Sequence, residues 1–105
     1  MNRRKRMLGW AVLLSPLLAW AQIVLPTDKT QFRPSTLVGY AKAQALCVAC
    51  HSPWVVALQP ASWGREEWTA QVRTMQREPK ARIADDDVGD LVTYLVRTYG
   101  NERTP

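Results

Sequence analysis

The chain has 105 residues and a formal net charge of +5, with 47% hydrophobic residues, two cysteines and one histidine. That length holds one domain at most. Four of the fourteen basic residues stand together at Arg3-Arg4-Lys5-Arg6; without them ten face nine acidic residues and the balance is +1. The positive charge therefore belongs to the N-terminus, and with no basic–aromatic pattern elsewhere it excludes a nucleic-acid footprint.

The basic cluster is followed by an apolar run from Met7 to Trp20 and by Ala19-Trp20-Ala21. A basic start, an apolar stretch and an A-x-A site predict a secretory signal peptide over 1–21, cleaved after Ala21, and a periplasmic mature chain. The alternative is an uncleaved anchor. Met7 to Ala21 is fifteen residues interrupted by Pro16, short of the ~20 that a spanning helix needs, so no membrane span is expected in the mature form. The 84 residues that remain make a domain small enough to need a staple such as a metal, a disulfide or a cofactor. Without it the chain is expected to be unfolded or molten.

Residues 22–36 carry Pro26 and Pro34 and no helical period, and predict an extended N-terminal arm. It is either loose or laid along a partner. Residues 37–105 form the predicted domain. Ser35 or Thr36 is the expected N-cap of a first helix running from about Leu37 to Cys50. Gly39 costs that helix about 1 kcal/mol against alanine, which predicts a second helix passing close by.

Cys47-Val48-Ala49-Cys50-His51 closes this helix. Two thiols three positions apart followed at once by an imidazole form the attachment signature of c-type haem. Each cysteine can add across one haem vinyl group, and His51 is then held close enough to be the proximal axial ligand. A thioredoxin-type disulfide would need a βαβ setting, which the sequence lacks. Structural zinc takes four ligands, and the chain's two cysteines and one histidine all lie in these five residues.

Ser52 to Gly64, with Pro53, Pro60, Trp54 and Trp63, predicts a loop wrapping the proximal side of the haem, with a carbonyl near Pro60 as a partner for the second ring nitrogen of His51. A simple rigid turn at Pro60 is the other reading. A second helix is expected from Arg65 to about Arg77, where Trp68, Val72 and Met75 form one stripe and Pro79 forces the end. Asp85, Asp86 and Asp87 open a third, one of them as N-cap. It carries the cleanest apolar pattern of the chain: Val88, Leu91, Val92, Leu95, Val96 and Tyr99. Arg97 and Gly100 stop it.

The mature chain has no second histidine and a single methionine, Met75, 24 residues beyond His51. A methionine on an apolar stripe is commonly a gap-filler; here the haem itself would be the core, and His/Met ligation is an established arrangement. Met75 is therefore the expected distal ligand. Cys47, Cys50, His51 and Met75 form the expected cofactor site for one covalent haem c, with iron ligated by His51 and Met75 and no catalytic residue. With both axial positions filled by protein, the chain is expected to transfer electrons and not to be an enzyme by itself. If Met75 does not bind, the iron is open and the chain is a gas-binding haem module.

These residues predict an all-α class I cytochrome c fold, about three helices around one haem. Beyond the haem motif the chain resembles the cytochrome c subunit of bacterial molybdenum sulfite dehydrogenases. The likeness runs through Leu25-Pro26, Gly39-Tyr40, Cys47 to Ser52, Gln59-Pro60, the spacing of Trp68, Val72 and Met75, Ile83 to Asp86, Tyr94-Leu95 and Thr98-Tyr99-Gly100. It implies His51 and Met75 as axial ligands and a heterodimer with a molybdopterin-containing catalytic subunit that oxidises sulfite. It further implies that the arm lies over that subunit and that a soluble cytochrome c is the acceptor. Two segments depart from it. Glu78-Pro79-Lys80-Ala81-Arg82 is more charged than the family's Gly-Ala-Pro stretch, and Trp54-Val55-Val56 replaces an acidic residue and a tyrosine. A free periplasmic monohaem shuttle is the alternative to the subunit.

Overall fold

The apolar stripe of the last helix is buried along its length, and the first and third helices pack on it. The computed structural model describes Ile23 and residues 25–104; the expected signal peptide over 1–21 lies outside the described residues. Within them the chain is a compact all-helical globule of four helices without strands. These are α1 (Val38–Leu46), α2 (Trp54–Ala57), α3 (Arg65–Gln76) and α4 (Asp85–Thr98), with a 3-10 turn, Cys47–Ala49, after α1. No described helix is long and apolar enough to cross a membrane.

Helix α4 is the axis. It buries Val88, Leu91, Val92, Leu95 and Val96, and also Tyr94, so its apolar surface is wider than the sequence stripe. One side receives α1 and another receives α3, while α1 and α3 do not pack on each other. Gly39 of α1 lies against the Asp90 carbonyl and the Tyr94 Cβ of α4, the close passage its presence predicts. Lys42 of α1 adds ion pairs to Asp87 at 3.0 Å and Asp90 at 2.7 Å.

The helix ends differ in detail from expectation. Neither Ser35 nor Thr36 caps α1: Leu37 is the N-cap without a side-chain bond, and the Ser35 hydroxyl accepts the Leu37 N–H at 3.1 Å. The first helix does not continue to Cys50, because the chain tightens into the 3-10 turn after Leu46, a common way for a helix to end. Ala84 caps α4 in place of an aspartate; Asp87 reaches back from the third helical position to accept the Ala84 N–H at 3.0 Å. All three aspartates lie in the first turn, where the helix dipole favours negative charge. The proline-bounded stretch read as loop contains one short helix, α2.

The end of the arm is fastened to the globule. Phe32 is 3% exposed and meets the Tyr94 ring edge-on. The Tyr94 hydroxyl donates to the Arg33 carbonyl at 2.6 Å, the Arg33 N–H donates to the Tyr99 hydroxyl at 3.0 Å, and the Arg33 guanidinium lies 4.8 Å over the Tyr99 ring. Residues 25–31 are exposed.

Candidate functional site

Because α1 and α3 lean on α4 without meeting, a cleft opens between the residues that follow α1 and the end of α3. It consists of two adjoining hollows that share Cys47, His51 and Met75 in their walls. The first is completed by Val55, Val56, Gln59, Trp68, Gln71 and Leu95. The second is completed by Leu46, Cys50, Glu78, Ala81 and Ile83. All four site residues expected from the sequence thus border one cleft, although Met75 is 24 positions from His51.

Each is placed by local structure. Cys47 begins the 3-10 turn and is buried; Cys50 follows the turn and is exposed. The tighter turn puts the two thiols about one helical turn apart. Both are free thiols, and burial pushes the Cys47 thiol up to about 11. A neutral thiol suits a dry wall better than a thiolate would. His51 is half-buried in the bend after the turn, with Nδ1 3.2 Å from the Ser52 carbonyl. If that nitrogen carries the proton, Nε2 keeps its lone pair for a metal. Met75 is half-buried in the last turn of α3, packed against the core.

The carbonyl at Pro60 does not serve His51. It accepts the Trp63 N–H at 3.0 Å, so Pro60 makes a turn, and Ser52 supplies the carbonyl beside the imidazole. The Ser52 side chain also holds the Asp28 carboxyl of the arm below the usual carboxylate range, assisted by Thr30.

The residues present fit a flat apolar group carrying a metal. The walls are predominantly hydrocarbon, and the donors are two thiols, an imidazole and a thioether. Imidazole and thioether suit iron in a porphyrin. Among the described residues no three His, Cys, Asp or Glu side chains converge to cage a bare ion. Val55 and Val56 are wall residues that pattern reading passed over, since one short helix between prolines has no period to detect. Trp68, expected on the α3 stripe, is fully buried with its ring edge-on to Trp63 at 5.1 Å. Its Nε1 has no hydrogen-bond partner and abuts Gly100, where a Cβ would come within 2.7 Å. No protein-family model matches this chain, and no curated protein is significantly similar to it.

Proposed function

We propose that the chain is a monohaem c-type cytochrome that passes single electrons and acts as the small subunit of a periplasmic sulfite dehydrogenase. One observation carries the haem reading: Cys47, His51 and Met75 share the walls of one apolar cleft, with Cys50 on its rim. Cys47 and Cys50 would hold haem c through thioethers, and His51 and Met75 would supply its axial ligands. Haem c, when bound, supplies an iron that gains or loses one electron without bond chemistry.

The chain's own residues do the rest. Val55, Val56, Trp68, Leu95 and Ile83 keep water from the cleft, which lowers the local dielectric and tunes the potential. The Ser52 carbonyl orients the His51 ring. The thioether of Met75 would favour the reduced form of a bound haem and shield it from external ligands. The sulfite dehydrogenase reading rests on the sequence likeness and on the exposed arm, 25–31, available to a larger subunit. Electrons would then pass from the partner's molybdenum centre through this chain to a soluble cytochrome c.

The test is production in a host that matures cytochromes, followed by haem staining on a denaturing gel and carbon monoxide titration of the reduced protein. We expect a stained band and no carbon monoxide binding. Met75→Ala should keep the stain, lower the potential and bind carbon monoxide; a variant indistinguishable from wild type in both would remove Met75 from the ligand role.

A further inference from the structure

Where α4 ends, the surface carries a depression that shares no lining residue with the cleft. Three arginines border it, Arg33, Arg97 and Arg103, with Ser35, Thr98 and Thr104, and among the described residues no acidic side chain lines it. The three come from separate stretches: the arm, the last turn of α4 and the segment after it. None has an ion pair among the described residues, whereas Lys42, Arg65 and Arg73 are each paired with carboxylates at 2.7–3.0 Å. Glu102, the acidic neighbour of Arg103 in sequence, is engaged by Arg65 at 2.8 Å.

Two of the three guanidiniums are oriented by the fold itself. Arg33 lies 4.8 Å over the Tyr99 ring and donates from Nη1 to the Thr98 carbonyl at 3.3 Å. Arg103 donates from Nε to the Gly100 carbonyl at 3.0 Å, which leaves both of its terminal nitrogens for another acceptor. The Ser35 hydroxyl accepts the Leu37 N–H at 3.1 Å and keeps its own proton to donate. The plainer role for these cations is to offset the negative end of α4. That end carries only about half a charge, and carbonyls of its last turns already accept the N–H groups of Tyr99, Gly100 and Glu102. Offsetting it takes less than one arginine of the three. Leu37, the N-cap of α1, lines the same depression, and the first turn of α1 has no acidic residue. Positive charge is in excess there.

We infer that this depression binds a multivalent oxyanion of the sulfate or phosphate class, held by the guanidinium groups of Arg33, Arg97 and Arg103 with the Ser35 hydroxyl as a further donor. A planar guanidinium meets two oxygens of such an anion at once. All three arginines are exposed, so each contact alone is weak in water. A monovalent anion that engages one of them gains little. A tetrahedral dianion has the charge and the oxygens to engage all three together. The site goes beyond the electron-transfer reading and does not depend on it.

The experiment titrates the full-length protein, reduced, with sodium sulfate and with sodium phosphate at a pH where phosphate is doubly charged. Sodium chloride holds the ionic strength constant, and the arginine Nε–H resonances are followed by nitrogen-15 NMR. Saturable shifts at Arg33, Arg97 and Arg103 are expected with either dianion and none with chloride alone. Arg97→Gln, which removes an exposed side chain without an ion pair, should raise the dissociation constant about threefold, and Arg97→Gln/Arg103→Gln about tenfold. Arg77→Gln, exposed and unpaired on another segment, should leave it unchanged. Shifts that grow linearly with any salt, or a dissociation constant that neither Arg97→Gln nor the double variant alters, overturn the site. Binding of a polyglutamate peptide without binding of either oxyanion also overturns it, in favour of a contact for an acidic protein segment.

Discussion

Gly39 shows how one residue position fixes a helix crossing. A Cβ there would come within 2.6 Å of the Tyr94 Cβ and run into the Asp90 carbonyl, both on α4. Gly39→Ala gains about 1 kcal/mol of helix propensity, but backbone and Cβ cannot swing aside as a flexible tip could, and overpacking costs about 1–3 kcal/mol. The cost wins. We expect Gly39→Ala to unfold at lower denaturant than wild type; an unchanged or raised midpoint would mean that α1 does not rest on α4 as described. The motif Cys47 to His51 was readable because its chemistry requires contiguous residues. Phe32 was not: a lone aromatic between polar residues and prolines carries no period, and only its packing on Tyr94 and the Arg33 bonds make it core.

At the scale of elements, the N-terminus of α4 is held from both sides by charge. Gln76 and Arg73 of α3 hold the Asp85 carboxyl below its usual range, and Lys42 of α1 does the same for Asp87, aided by the Ala84 N–H. Lys42 in turn is raised by Asp90 and Asp87. The signs set the pH window. The depressed aspartates contribute stability above the ordinary carboxylate pKa of about 3.9, and it is lost as pH falls through their lower folded values. The raised lysine contributes below about pH 10.4, and this is lost on the alkaline side. All these groups are at the surface, where ion pairs are screened and weak. Urea midpoints of the holoprotein should therefore be flat through neutrality and drop below about pH 4, with a smaller drop in Asp87→Asn; an equal drop in the variant would contradict the assignment. Helices α3 and α4 were legible because stripe, acidic start and stop signal agree. The break after Leu46 and the short α2 were not, because the geometry of Cys47–Ala49 and the turns at Pro53 and Pro60 are set by how the chain rounds the cleft.

For the whole molecule the decisive arrangement is that α4 keeps α1 and α3 apart and so creates the cleft. No local pattern states this. The sequence offered the four expected site residues, and the packing of two helices on a third put Met75 in the same walls as Cys47 and His51. If the chain is a permanent subunit, gel filtration of a native extract should show it co-eluting with a molybdenum protein; a lone small cytochrome would support the free shuttle. The function proposed for the chain begins with covalent haem. Its most direct test is the intact mass of the mature protein purified, after denaturation and thiol alkylation, from a host that matures cytochromes. The prediction is a mass greater than the polypeptide by one haem, with Cys47 and Cys50 unalkylated. A colourless chain of polypeptide mass, with both cysteines alkylated, would contradict it.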